Sequence, residues 1–244
     1  MSLADFKAGL HAQFPEEFTL HREVALFLEP GIEAPRAPNP PLLLVIDMLF
    51  VQAYKAHLST LVAAELGHTE DAATLCRRLL ELGIVAGYIG LAQTEQLKRE
   101  RARRYLADLW NDLPEQGRAR LPENSRLQWE QTLAGVPRGA FPSFQKMFSE
   151  VGQLGTYRED YSLLSRIAHG ASSDQLIAYG QNPVPVRAPW HIGPLLVFAS
   201  RYYLGTAVVW NEHFRTFDQA RLDQLVLKAA EWATKAAQEE ENAG

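Results

Sequence analysis

Between Leu42 and Leu66 the large apolar residues fall at Leu43, Ile46, Phe50, Tyr54, Leu58 and Leu61, in steps of three and four that line one side of a helix. Gly67 follows where a helix commonly stops. Thr69 is the expected N-cap of a second helix reaching about Leu91, with Glu70 and Asp71 in the first turn, where negative charge suits the dipole. The short turn between the two predicts an antiparallel hairpin over residues 42–91. A third helix, capped by Thr94, mixes its charges with Leu97, Tyr105 and Leu109 and is the most solvated of the set. Pro114, Pro122, Pro137 and Pro142 then break the pattern into short pieces, Glu123 to Leu133 and Ser143 to Val151.

Thr156-Tyr-Arg-Glu159 has the form of a capping box, opening a helix that runs to about His169 and stops at Gly170. Ser172-Ser-Asp-Gln175 is a second such box. Pro183, Pro185, Pro189 and Pro194 exclude a helix interior or a central strand from Gln181 to Pro194, so this stretch is expected as a proline-rich loop lying over the bundle. Two long helices close the chain, Leu195 to Phe214 and Asp218 to about Glu239, the last with Leu222, Leu225, Val226, Ala229 and Ala233 as its buried stripe. At the other end, helical pieces near Leu3 to Gln13 and Glu17 to Leu28 form an arm. Its Phe6, Leu10, Phe14, Leu26 and Phe27 are apolar enough to demand a surface to pack on, the body's or a partner's. Pro30, Pro35, Pro38, Pro40 and Pro41 make a stiff linker.

The expected fold is therefore all-α: residues 1–41 as an N-terminal helical arm and linker, and 42–244 as a single helical bundle with a proline-rich loop before its last two helices. No segment alternates strictly, and nothing recurs at a solenoid period.

Composition narrows the function classes more than it names one. At 47% hydrophobic and 22% charged over 244 residues, the chain is neither disordered nor of low complexity. Its 24 basic against 29 acidic residues give a net charge of -5, which lends RNA binding no support; the one basic patch is Lys98 to Arg104, equally a solvated helix face. The single cysteine, Cys76, has no partner for a disulfide or a metal pair and reads as a small core residue in a reducing cytoplasm. Asp5, Lys7 and His11 interrupt the N-terminus where a signal peptide would be apolar. The longest apolar run, Pro40 to Ile46, is far below the ~20 residues that span a bilayer, so no membrane is expected. His57, His68, His191 and His213 show no metal-ligand spacing and no glycine-rich phosphate loop is present, so no cofactor is expected.

Two clusters offer chemistry. Tyr157, Tyr161, Ser165 and His169 are spaced by four and share a helix face, with His169 at a C-terminus that favours its protonated form and Ser172 and Ser173 close by. The same residues also suit plain architecture, His169 donating to helix-end carbonyls and Ser165 bonding back one turn. Arg77 and Glu81 form an i, i+4 pair in an otherwise apolar helix, which favours an inward orientation. Trp190-His191 offers an aromatic anchor or a pin for its loop.

Arg77-Arg-Leu-Leu-Glu81 together with Tyr161-Ser-x-x-Ser165-x-x-x-His169-Gly170 resembles a family of bacterial all-helical proteins of unknown function, over roughly Leu42 to Ala178. More remotely, a helical bundle with one Arg and one His at its centre is similar to the HEPN superfamily, whose active members are metal-independent RNases acting as dimers. That superfamily sets Arg a few residues before His on one helix. Here two residues separate Arg166 from His169 and ten separate Arg158 from it, so the resemblance implies that Arg77 or Arg158 supplies the cation. It implies His169 as general acid or base and Arg77 as phosphate-facing cation held by Glu81, with Tyr161 and Ser165 completing the cluster in an RNase of a stress or defence system. A non-catalytic interaction module, with the same cluster fixing helix register, is the alternative. The apolar arm and long terminal helices suit a homodimer or a monomer that folds its arm back.

Overall fold

The computed structural model describes residues 2–33, 40–168 and 191–243, and among them every regular element is a helix. Ser2 opens α1 (Leu3–Gln13) with a capping box in which Ser2 and Asp5 exchange hydrogen bonds. α2 (Pro15–Glu33) carries Pro30 near its C-terminal end, so the first proline of the expected linker continues the arm instead of ending it. Pro41 sits at the first position of α3 (Pro41–Leu66), where its missing N–H is not needed. Pro35 and Pro38 lie outside the described residues.

α3 ends at Gly67, which takes the left-handed conformation, φ 73°, and donates back to Ala63 and Ala64. α4 (Thr69–Gly90) returns alongside it, forming the expected hairpin with one correction: His68, not Thr69, holds the N-cap position. α5 (Glu95–Asp112) is capped by the Thr94 hydroxyl, which accepts from the N–H of Leu97. Short helices α6 (Glu115–Ala119), α7 (Glu123–Leu133) and α8 (Phe144–Glu150) follow, the last capped by Ser143. α11 (Ile192–Phe214) then packs against both α3 and α4, and α12 (Gln219–Ala243) packs on α11. Asn211 clamps the turn between these last two, donating to the Phe217 carbonyl at 3.3 Å and accepting from its N–H at 2.8 Å.

The segment between α8 and α11 departs from expectation. Gly152, with φ 73°, turns the chain, and α9 (Leu154–Thr156) has already begun when Thr156 is reached. The Thr156 backbone is helical and its hydroxyl donates to Gln153, so the Thr156–Glu159 capping box does not form. The chain continues through one wide π turn, Tyr157–Tyr161, into α10 (Ser162–Ala168), which packs on α4. His169, Gly170, the Ser172 box and the proline-rich loop as far as Trp190 lie outside the described residues. Pro194 sits inside the first turn of α11.

The deepest face of α3 is not the stripe of large residues. Ile46, Phe50, Ala53, His57, Thr60 and Ala64 are buried, while Leu43, Tyr54, Leu58 and Leu61 flank them half-exposed. Small residues let the three central helices approach closely, which outweighs the gain from turning bulk inward. Cys76 is fully buried as expected, its Sγ 3.1 Å from the Leu195 carbonyl, and burial pushes its thiol pKa up. Asp47 accepts from the indole N–H of Trp210 at 3.3 Å across the same core.

The arm packs on the body through Phe6, Leu10 and Phe14, with one correction: Leu26 faces outward, 70% exposed, because it lies off the buried face of α2. Phe18, Leu20, Val24 and Leu28 are fully buried, and two glycines receive aromatic rings. A Cβ added to Gly193 would lie 2.7 Å from the Phe14 ring, and one at Gly31 would lie 2.6 Å from that of Phe217. Charged pairs edge the contact: Glu65 on α3 meets Lys7 at 3.0 Å, His11 at 3.2 Å and Arg22 at 3.6 Å, and Glu23 on α2 pairs with Arg221 and Lys228 of α12. α3 and α11 are long and apolar enough to cross a membrane by length and composition; both are central helices of the bundle, much of their surface buried within it.

Candidate functional site

Arg77, Arg78 and Glu81 leave α4 on its side toward α10 and α8. The Glu81 carboxylate is only 12% exposed. Arg77 Nε lies 3.2 Å from its Oε1, the Tyr161 hydroxyl donates to the same oxygen at 3.4 Å, and Arg78 approaches Oε2 at 3.7 Å. Arg77 also lies over the Tyr161 ring, 5.3 Å from its centroid, and Arg78 donates to Gln52 of α3 at 2.8 Å. Three of the residues singled out in the sequence, Arg77, Glu81 and Tyr161, are thus one cluster joining two elements eighty positions apart. Burial, and then the negative charge of Glu81, raise the Tyr161 phenol pKa, so it remains a donor. Tyr157 stacks on Tyr161 with ring centres 5.2 Å apart, and Ser165 is half-buried on α10, one turn further on. His169, the proposed acid or base, lies outside the described residues.

The π turn sends adjacent residues to different helices. While Tyr161 reaches α4, Asp160 accepts from the Tyr202 hydroxyl at 2.8 Å and sits 3.5 Å from Arg201, both on α11. Burial first and Asp160 second hold the Tyr202 pKa well above its ordinary value. This second network was not legible in the sequence, because it joins Asp160 to α11 across more than forty positions.

Two concavities adjoin these groups. Glu81 borders one of about 250 Å³ together with Arg78, Tyr105, Asp108 and Phe144. Asp108 is already committed there, accepting from the N–H groups of Gly139 at 3.0 Å and Phe141 at 3.2 Å. The other, about 350 Å³, runs between α4, α8 and α11, where Gly83, Gly87 and Gly205 leave room between apolar walls. Its lining carries Arg201, Tyr202, Gln153 and Thr156 but, among the described residues, no histidine, cysteine or carboxylate.

The basic run of α5 is occupied in bracing. Lys98 pairs with Glu95 at 2.8 Å and Arg104 with Glu100; Arg103 donates to the carbonyls of Thr132 and Ala134. Arg101 lies 3.7 Å over the Tyr88 ring, donates to the Tyr88 carbonyl and meets Glu150 at 2.8 Å. His191 takes a left-handed conformation, φ 58°, at the start of α11. Among the described residues no three His, Cys, Asp or Glu side chains are grouped to hold a metal ion.

Compared with known protein families, curated proteins and solved structures, the chain matches none.

Proposed function

We propose that this chain is a non-catalytic helical interaction module in which Arg77, Glu81 and Tyr161 brace the Leu154–Ala168 segment against α4. The observation that carries this reading is that Arg77 and Tyr161 converge on one acceptor inside the protein. One shielded carboxylate accepts from Arg77 and from Tyr161, and Arg77 stacks on that same ring. A phosphate-binding cation has to face its ligand, and an acid or base must come within hydrogen-bond reach of the reacting atom. Four of the five basic residues between Lys98 and Arg104 are similarly engaged with carboxylates, carbonyls and one aromatic face.

A second reading follows from the resemblance: a HEPN-like, metal-independent RNase of a stress or defence system, cytoplasmic and dimeric. In it His169 is the acid or base, Arg77 the cation held by Glu81, and Tyr161 and Ser165 the surrounding polar groups. Its support is the side-by-side placement of Arg77 and Tyr161, eight positions before His169.

One experiment separates them. Purified protein is incubated without added metal with a pool of structured and single-stranded RNA, beside His169→Ala, with melting curves for both. The module reading expects no cleavage and a lower melting temperature for the variant. Cleavage lost in a variant that stays folded would establish the RNase instead. Sedimentation of the same samples counts the copies.

A further inference from the structure

The seam between arm and body holds polar groups that neither reading uses. His21 on α2 and His57 on α3 are fully buried and stack face to face, ring centres 3.6 Å apart and planes within 1° of parallel. The Tyr203 ring of α11 lies 5.0 Å from that of His57. Both nitrogens of each imidazole and the Tyr203 hydroxyl are buried without a hydrogen-bond partner. Parallel rings point their lone pairs side by side instead of toward one point, so the pair does not converge on a metal ion.

We propose that this stack is an acid-sensitive latch: protonation of His21 and His57 drives α2, and α1 with it, off α3 and α11 while the body stays folded. Neutral imidazoles stack comfortably in this seam. A first proton places a cation in an apolar contact where burial outweighs the hydrogen bond offered by the His57 backbone, and a second places two like charges one ring thickness apart. Moving α2 away returns both rings to water. Burial already holds the His21 pKa down to about 3, offset in part by a hydrogen bond with the His57 backbone and reinforced least by the Arg22 cation. Burial and the neighbouring His21 hold that of His57 well below its ordinary value.

The groups facing the pair from each packed element favour this outcome. α2 contributes Arg22, whose charge opposes protonation; α11 contributes the Tyr203 phenol; α3 contributes Tyr54, its ring 6.2 Å from that of Tyr203. Among the described residues, no carboxylate is among the groups whose charge bears on either imidazole. The opposing contact is His11 with Glu65 at the rim, an ion pair only when that imidazole is protonated. It is one partly exposed pair against two buried rings, and surface pairs are weak.

Hydrogen exchange followed by mass spectrometry, corrected for the intrinsic effect of pH, tests the latch on the full chain. Each released imidazole takes up a proton below its ordinary value of 6.5, so docking weakens about tenfold per pH unit for each histidine. Between pH 7.5 and 5.0 the expected loss of protection in α2 is on the order of 10³-fold, while α4 keeps its protection. His21→Leu with His57→Leu is expected to flatten the response. His21→Leu alone, which disturbs the packing less, is expected to leave a loss of roughly 30-fold. Protection in α2 that ignores pH, simultaneous loss in α2 and α4, or the same loss in the double variant would each overturn the proposal.

Discussion

Two polar clusters hold this bundle together under opposite conditions. At the brace, the shielded Glu81 carboxylate sits beneath the partly exposed Arg77 and Arg78 and has a counterpart on each side: those two cations on one, the Tyr161 hydroxyl on the other. At the latch, His21, His57 and Tyr203 are deeper and their polar atoms have none. The difference teaches how depth selects chemistry. Near water a carboxylate retains its charge cheaply and pairing adds a modest stabilisation. In the core an unpaired imidazole persists only as the neutral ring, its unpartnered nitrogens already costing stability, and a proton raises that cost steeply.

The largest effect that can break the comparison is acid. The folded pKa of His21 lies near 3 against 6.5 in the released state, so between those values the released state binds more protons and docking strengthens as pH rises. Each of the two imidazoles is expected to remove about 2 kcal/mol of docking free energy at pH 5.0, and almost none at pH 7.5. Melting curves should therefore place the double Leu variant above the wild type at pH 5.0, relative to their order at pH 7.5. An unchanged gap would show that the stack carries no pH dependence. At the brace, Glu81→Ala leaves Arg77 and Tyr161 without their shared acceptor and should cost about 1–2 kcal/mol in urea denaturation. Tyr161→Phe removes one long hydrogen bond and keeps the ring under Arg77, at about 0.5 kcal/mol. A double-mutant cycle with Glu81→Ala should return that coupling; additive effects would mean the contact contributes nothing. The smallest change is expected at Tyr203→Phe, within about 0.5 kcal/mol of the wild type or slightly more stable, because the deleted hydroxyl has no partner to lose. A cost above 1 kcal/mol there would place a hidden partner at the latch and remove the contrast.

What the sequence made legible was local. The Gly67 stop, the Thr94 cap and the Arg77–Glu81 pair depend on residues within a turn of one another, and all three are present as read. The inward orientation of that pair was legible too, from the apolar residues around it. The contact with Tyr161 was not, because it crosses eighty positions. The Thr156 box failed for a related reason: after the turn at Gly152 the helix begins at Leu154, earlier than the cap motif signals, and Thr156 is already inside it. The latch left a fainter trace. His57 falls in step with Phe50, Ala53 and Ala64, and His21 with Phe18 and Leu28, so both occupy buried positions of their helices. Weighing His57 only for metal-ligand spacing, and His21 not at all, concealed them.

The order in which the arm finds its seat has a consequence for synthesis. α2 packs against α11 and is tied by Glu23 to Arg221 and Lys228, the far end of the chain. A ribosome adding roughly 5–20 residues per second delivers that seat roughly 10–40 s after α2 has emerged. For that interval Phe18, Leu20, Val24 and Leu28 have no complete surface to cover them, and the nascent arm is exposed to the contacts a chaperone prevents.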